Sequence, residues 1–224
     1  MKISTDTLAI FKNFASINSN IIVKPGNVLR TFAHDSKAVY GEAKVAETFP
    51  VEFGIWELNK FLATVSLFKD PDFEFLQQHV VISSTSSNAR ISYYYSNPEL
   101  LTAPPKTIKM PETKASFDLN TKDLSELQKA ANVLQVPDLA LIGSSEGLTL
   151  RVFDKKDDTC NTYEMNVGDN PANLEFKALF KMENLKIVPG TYHVRVSPKG
   201  ISEFSNANGN LTYWIALESD SRWN

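Results

Sequence analysis

The stretch "TDTLAIFKNFASIN" (residues 5–18) decides the fold, because "TKDLSELQKAANVLQV" (residues 121–136) restates it just past the midpoint of the chain. Apolar residues in both stretches recur at spacings of three and four, which is typical of an amphipathic α-helix. The pattern predicts helices over residues 5–17 and 122–135. The corresponding pairs are Thr5 and Thr121, Leu8 and Leu124, Phe11 and Leu127, Ala15 and Ala131, and Ile17 and Val133.

Outward from each helix, both halves of the chain show the same order of elements: a hairpin, strands, a second short helix and more strands. The second helix is predicted over residues 57–68 in the first half and over residues 179–186 in the second, where Pro189 and Gly190 end it. Six elements in matching order indicate an internal duplication.

A proline-rich segment separates the two halves. Residues 97–116 hold four of the eleven prolines of the chain, and proline has no backbone N–H for a helix or a central strand. We therefore expect domains at residues 1–96 and 117–224, with residues 97–116 as an extended connector.

The predicted fold class is α+β. Each domain has several strands and only two short amphipathic helices, and such helices must pack on a sheet. We expect two similar domains of antiparallel sheet, each with two helices on one face.

Composition limits the functional classes. Of 224 residues, 42% are apolar, so a globular core can form, and the formal net charge is −3. Dedicated DNA-binding proteins are usually strongly basic, so any nucleic-acid role must depend on how the charges are arranged. The single cysteine excludes an intramolecular disulfide, which is typical of a reducing compartment. The longest apolar run is too short to span a bilayer. Together these features predict a soluble intracellular protein without membrane contact.

No catalytic chemistry is predicted. The three histidines are scattered without metal-ligand spacing, and Cys160 lies in a polar stretch without a neighbouring base. "GSSEG" (residues 143–147) lacks the Gly-Lys-Ser/Thr of a phosphate-binding loop and fits a turn between strands. We expect no enzyme activity, no cofactor and no metal.

The polar faces of the predicted helices carry more lysine than acid. Lys122 and Lys129 align on one helix with Ser125 and Asn132, and the other predicted helices carry Lys12, Lys60, Lys177 and Lys181. For any single lysine a solvated surface is the simpler interpretation. Together they make a mildly basic side on an acidic protein, which suits phosphate contact without sequence information.

The sequence resembles the sliding clamps of T-even-like tailed bacteriophages, the processivity factors of the phage DNA polymerases. The resemblance lies in "MKISTDTLAIFKNFASINS", "WELNKFL", "TKDLSELQKAANVLQ", "VPGTYHVRV" and "YWIALESD". It extends over essentially the whole chain and is weaker over parts of residues 68–115.

The resemblance implies a homotrimeric ring with helices lining a hole through which duplex DNA passes. It also implies an ATP-dependent clamp loader, a DNA polymerase that binds through its C-terminal peptide, support of late transcription, and a location in the host cell cytoplasm. The residues expected to face DNA are Lys12, Lys60, Lys122, Lys129, Lys177 and Lys181.

The resemblance further implies a hydrophobic pocket for the polymerase peptide near the connector. The candidate lining residues are Tyr93, Leu101, Pro104, Pro105, Ile108 and Met110. The family has Trp near the position of the tyrosines, so a second interpretation stays open, in which Tyr93 and its neighbours only pack an edge strand.

One alternative function comes from a different class. A β-rich oligomeric structural protein, such as a virion component without a DNA role, fits the duplication and the acidic balance equally well. The lysine-bearing helix faces and the full-length resemblance favour the clamp.

Overall fold

The computed structural model describes residues 1–104 and 108–223. The chain forms two compact units, Met1–Lys106 and Thr107–Asn224. This division falls within the predicted connector, whose ends at residues 97 and 116 stay a prediction.

Residues 1–104 of the first unit form two helices and seven strands. They are α1 (Thr5–Ile17), β1 (Ile21–Val23), β2 (Gly26–Phe32), β3 (Val39–Phe49), β4 (Phe53–Ile55), α2 (Leu58–Val65), β5 (Asp72–Phe75), β6 (His79–Ser84) and β7 (Ser87–Tyr94). Strand β1 pairs with β4, β2 pairs with β3, and β5, β6 and β7 are neighbours in that order, all antiparallel. A 3-10 turn, Pro98–Leu100, follows β7.

In the second unit, the described residues 108–223 form one helix and nine strands. They are β8 (Ala115–Leu119), α3 (Thr121–Leu134), β9 (Asp138–Ser144), β10 (Gly147–Phe153), β11 (Tyr163–Gly168), β12 (Phe176–Lys181), β13 (Tyr192–Ser197), β14 (Ile201–Asn206), β15 (Leu211–Ala216) and β16 (Arg222–Trp223). Strands β11, β10, β9, β12 and β16 are neighbours in that order, as are β15, β14, β13 and β8. The antiparallel α+β class is confirmed.

Helix α1 has the predicted bounds and α3 is shifted by one residue. The Ser4 hydroxyl caps α1 by accepting from the backbone N of Thr7, and the Asn120 side chain caps α3 by accepting from the backbone N of Asp123. Helix α3 ends where Gln135 adopts a left-handed conformation, with φ 54°.

The core of the first unit is aromatic. Phe11 of α1 meets Phe49 of β3 edge-on at 6.0 Å between ring centroids, and Phe49 meets Phe53 at 5.8 Å. Helix α2 adds Phe61, whose ring meets Tyr93 of β7 at 5.1 Å. Each such pair contributes about 0.5–1.5 kcal/mol beyond its buried area, so α1 and α2 are both fixed to the strands beneath them.

The core of the second unit lies between α3 and its two sheets. Leu127 of α3 is fully buried, as are Leu141 of β9 and Val194 of β13. Phe180 of β12 meets Phe204 of β14 at 6.3 Å between ring centroids. On the other face of the β9–β12 sheet lies a smaller buried cluster, formed by Ala140, Phe153 and Leu179.

The helix predicted over residues 179–186 is wrong. Strand β12 pairs with β9 through six consecutive residues, from Phe176 opposite Gly143 to Lys181 opposite Asp138. This ladder uses the backbone groups that a helix would need. Only a 3-10 turn, Met182–Asn184, fits before Pro189, because so short a segment does not repay the cost of starting a helix.

The hairpin predicted after the first helix is also wrong, because the two strands that follow α1 pair with other strands: β1 pairs with β4, and β2 pairs with β3. The corresponding hairpin of the second half is confirmed: β9 and β10 pair from Ser144 opposite Gly147 to Asp138 opposite Phe153. Gly147 has φ 118°, a backbone conformation that favours glycine in the turn.

Candidate nucleic-acid interface

Helices α1 and α2 each expose one of the predicted lysines. Phe11, Phe14 and Ala15 of α1 are buried, which leaves Lys12 exposed on the opposite side. Lys60 of α2 is also exposed, and its Nζ lies 3.4 Å from a carboxylate oxygen of Glu57. Both helix surfaces therefore offer a lysine to an external anion.

Helix α3 exposes the other two helical lysines. Leu124, Leu127 and Ala131 are buried, while Lys122 and Lys129 are exposed. Lys122 Nζ lies 3.8 Å from Glu126, and Lys129 takes part in no salt bridge found among the described residues. Val133, predicted to correspond to apolar Ile17, is 80% exposed.

The ion pairs at these lysines are weak. Surface pairs of this kind are worth about 0–1 kcal/mol and are screened by salt. Lys60 and Lys122 can therefore leave Glu57 and Glu126 for a phosphate at little cost. Lys12, like Lys129, has no salt bridge within the part of the chain that the structure describes.

Lys177 and Lys181 lie on strand β12 and not on the predicted helix. The Tyr163 hydroxyl donates to Glu126 of α3 at 3.3 Å, which places α3 over the face of the sheet that Tyr163 shares with Val152. The strand register puts Lys177 and Lys181 on the opposite face. Their predicted place beside the helix lysines was wrong, because β12 continues where a helix was expected.

Both β12 lysines have partners on that face. Lys177 Nζ lies 4.3 Å from the ring centroid of Phe153, a cation–π contact. Lys181 Nζ donates to Asp138, which is 1% exposed, at 2.5 Å. Lys181 therefore neutralises a buried carboxylate and is not a free surface charge.

The residues predicted for the peptide pocket fall in both units. In the first, Tyr93 faces Phe61, and both burial and the charge of Glu57 raise its pKa. Leu101 is buried beside Gly54, and Pro104 is half-buried. In the second unit, Ile108 and Met110 are half-buried. The remaining predicted residue, Pro105, lies outside the described residues.

The two tyrosines that follow Tyr93 line a groove of about 380 Å³ in the first unit, whose shape the sequence did not predict. Successive residues of a strand point to opposite faces, so Tyr93 and Tyr94 at the end of β7 face different sides of the sheet. Tyr94 is 67% exposed. This alternation was the available signal.

Metal and membrane features are not found. Within residues 1–104 and 108–223, no cluster of three or more His, Cys, Asp or Glu side chains is placed to hold a metal ion. Among the same residues, no helix combines the length and apolar character needed to cross a bilayer.

Two family models match the chain. "DNA polymerase processivity factor" matches residues 4–110, and "gp45 sliding clamp, C terminal" matches residues 116–219. Among curated relatives, the sliding clamp of Vibrio phage KVP40 is 32% identical over 98% of this chain and 100% of its own length. The sliding clamp of Enterobacteria phage T4 is 31% identical over 99% of this chain and 98% of its own length.

Solved structures match the fold at low sequence identity. A. fulgidus PCNA, bound to the C-terminal region of FEN-1, gives a TM-score of 0.70 at 11% identity, over 96% of each chain. The Helicobacter pylori beta clamp, bound to a DNA ligase peptide, gives a TM-score of 0.61 at 15% identity, over 98% of this chain and 66% of the clamp chain. Both similarities concern the fold alone.

The two family models together extend over both units, and the phage relatives align from end to end. A sliding clamp is a processivity factor and not an enzyme. The chain belongs to the sliding-clamp family, and its role is that of a DNA polymerase processivity clamp.

Proposed function

We propose that the chain acts as a homotrimeric ring that encircles duplex DNA, with Lys12, Lys60, Lys122 and Lys129 facing the phosphates. The observation that carries this proposal is the exposure of a lysine on each of α1, α2 and α3, opposite the buried face. Lysine gives point charges that attract a phosphate backbone without reading sequence, which permits sliding. Lys177 and Lys181 are left out, since they lie on a strand away from α3.

Enclosure explains how a chain of net charge −3 serves DNA. A closed ring retains DNA by topology, so its inner surface needs only weak, salt-dependent attraction. Ring closure needs surfaces that join copies head to tail. Strands β7 and β11 each end a sheet of the described residues with one edge unpaired, and unpaired edges are templates for strand addition.

The same proposal includes the partners that the resemblance implies. An ATP-dependent loader places the ring, the polymerase binds through a C-terminal peptide, and the clamp supports late transcription in the host cytoplasm. Peptide binding is supported by the related clamps described above, which carry a FEN-1 segment and a DNA ligase peptide.

The test is a triple charge reversal, Lys12→Glu, Lys122→Glu and Lys129→Glu. We expect a large loss of processive synthesis with loader and ATP present, while the molar mass in solution stays that of a trimer across a dilution series. The matched control reverses Lys24, Lys44 and Lys109, three exposed lysines outside the helices. Unchanged processivity in the helix variant contradicts the proposed inner face, and a monomer mass for the unaltered protein contradicts the ring.

A further inference from the structure

A second pocket, of about 380 Å³, lies on the face of the β9–β12 sheet that is turned away from α3. Its floor is apolar, because Phe153 and Leu179 belong to the buried cluster on that face. Cationic side chains of β10, β12 and β16 form one side, and the loop between β10 and β11 forms the other. All of these elements belong to the second unit, so the pocket does not depend on how the two units are arranged.

Four cationic side chains line the described part of this pocket, and two of them already have anionic partners. Arg151 Nε lies 2.7 Å from a carboxylate oxygen of Glu164. Lys155 Nζ lies 3.0 Å from carboxylate oxygens of both Glu218 and Asp220. These two cations are therefore neutralised within the fold.

The other two cations, Lys177 and Arg222, lie directly opposite each other in the register of β12 and β16. Neither takes part in a salt bridge found within residues 1–104 and 108–223, and Lys177 Nζ lies over the Phe153 ring in the floor of the pocket. Like charges directly opposite on neighbouring strands destabilise a sheet. Two uncompensated cations side by side in the wall of a pocket therefore indicate an anion supplied from outside.

The carboxylates of the lining limit the size of this anion. Asp154 and Asp157 each accept from a backbone N–H two residues further along the loop, both at 2.9 Å, and Asp220 is held by Lys155. Asp158 adds a further carboxylate to the loop side. A long polyanion such as DNA would have to pass this acidic side, whereas a compact anion reaches the strand side alone.

The two free cations favour a phosphate group over a single carboxylate. A phosphate monoester carries about −1.5 to −2 charges at pH 7 and offers three acceptor oxygens. The guanidinium of Arg222 has donors in a planar fork that matches two of those oxygens, and the ammonium of Lys177 adds a point charge. A pocket of about 380 Å³ is within the range of sites that bind small molecules.

We propose that this pocket binds a compact phosphate anion, a phosphate monoester or pyrophosphate, between Lys177 and Arg222. The site goes beyond the processivity role and uses none of the helix lysines. Loss of the anion site and loss of the DNA contact are therefore separate results.

The first experiment measures binding by isothermal titration calorimetry on the full-length protein, without Mg²⁺ and at constant ionic strength. Pyrophosphate and deoxyadenosine monophosphate are the probes, and both are expected to bind. Backbone amide shifts on adding either probe should appear at residues 153–160, 177 and 222 and not along α3. Absence of binding by both probes overturns the proposal, and so do shifts confined to the helices.

The second experiment changes one cation. Arg222→Gln is expected to weaken pyrophosphate binding about tenfold, the size of one charge-assisted hydrogen bond. The same change should raise the melting temperature of the ligand-free protein, because it separates two like charges. Lys129→Gln, at an exposed lysine of α3, is the matched control and should leave binding unchanged.

Equal affinity of the unaltered protein and the Arg222→Gln variant overturns the site, since binding elsewhere on the surface would then explain the heat. A single-stranded oligonucleotide of eight nucleotides tests the limit on size. Tighter binding of the oligonucleotide than of pyrophosphate, lost in Arg222→Gln, overturns the compact ligand in favour of a nucleic acid. Weaker binding of the oligonucleotide supports the part assigned to the acidic loop.

Discussion

In each unit four strands follow the first helix, β1–β4 after α1 and β9–β12 after α3, and the units differ after the fourth of these strands. In the first unit, β4 is three residues long and the chain then forms α2, with Leu58, Phe61 and Val65 buried. In the second, β12 is six residues long and only the turn Met182–Asn184 follows.

The difference changes what each unit presents. Helix α2 brings an exposed lysine, Lys60, beside α1, which it contacts. In the second unit Leu185 lies beside α3, where Gln128 Nε2 donates to its carbonyl at 3.1 Å, and Lys181 is held by Asp138. The comparison teaches that a repeated long helix does not by itself repeat the surface charges around it.

The largest expected effect comes from the anchor of α2. Phe61→Ala should lower the free energy of unfolding by about 4 kcal/mol, because Phe61 is 2% exposed and its ring contacts Tyr93. Urea denaturation measures this. The control Leu67→Ala, at a residue 72% exposed, should change it by less than about 0.5 kcal/mol. A loss at Phe61 no larger than at Leu67 contradicts the assigned packing of α2.

The second-largest expected effect is the loss of stability when Lys181 is replaced. Lys181→Met should lower the free energy of unfolding by about 3 kcal/mol, because it leaves Asp138, which is 1% exposed, without its cation. The double variant with Asp138→Asn should recover part of that loss. Lys60→Met, at an exposed pair, should be nearly neutral. Equal effects at Lys181 and Lys60 contradict a structural role for Lys181.

A smaller expected effect is a pH-dependent contribution to stability at the start of α1, which the cap residue of α3 by itself lacks. Glu47 accepts from Ser4 and Thr7 at the start of α1. Burial by itself raises its pKa, but these hydrogen bonds outweigh burial and hold the pKa of Glu47 below its usual 4.5. A lowered folded-state pKa gives stability that is present above the unfolded-state value and is lost as pH falls through the folded value.

Glu47→Gln should therefore cost about 1 kcal/mol at pH 7, and the difference from the unaltered protein should vanish as the pH falls below 4.5. Asn120, the cap of α3, accepts from the backbone N of Asp123 and also donates to the Asp123 carboxylate. In an Asp123→Asn background, which removes that ionisable partner, Asn120→Ala should therefore cost about 1 kcal/mol at both pH values. Thermal unfolding as a function of pH measures both. A pH-independent cost at Glu47 contradicts the carboxylate interaction.

The smallest effect concerns a single surface lysine. Lys129→Gln should leave the free energy of unfolding within about 0.5 kcal/mol and reduce the slope of log K for DNA against log salt by about one. Lys177→Gln, on the sheet face away from α3, should leave that slope unchanged. A similar reduction for both lysines contradicts the assignment of the DNA-facing surface to the helices.

Local signals in the sequence were sufficient for the long helices and several strands. The period of Phe11, Phe14 and Ala15 and the cap at Ser4 lie within four turns of chain, so α1 was predicted at its observed bounds. The hairpin of β9 and β10 was likewise predicted, because residues 143–147 supply the turn signal between its strands. Family membership followed from the whole-chain resemblance.

The site was less predictable. The exposure of Lys12 and Lys129 follows from helix periodicity, so sequence placed both on the solvent side. The surroundings of Lys181 and Tyr95 depend on Asp138 and Phe53, which lie 43 and 42 residues away along the chain. No local sequence pattern predicts contacts between residues so far apart in the chain.

The sequence by itself determined the repeated long helix, the buried face of each long helix and the acidic, single-cysteine composition. Tertiary structure alone decided that residues 176–181 extend a strand, because six paired residues on β9 outweigh the weak helical preference of a short segment. It also decided that Tyr93 faces inward and Tyr94 outward, since strand register fixes which residues meet the core. Intrinsic preference acts over a few residues, whereas pairing and burial act between distant ones.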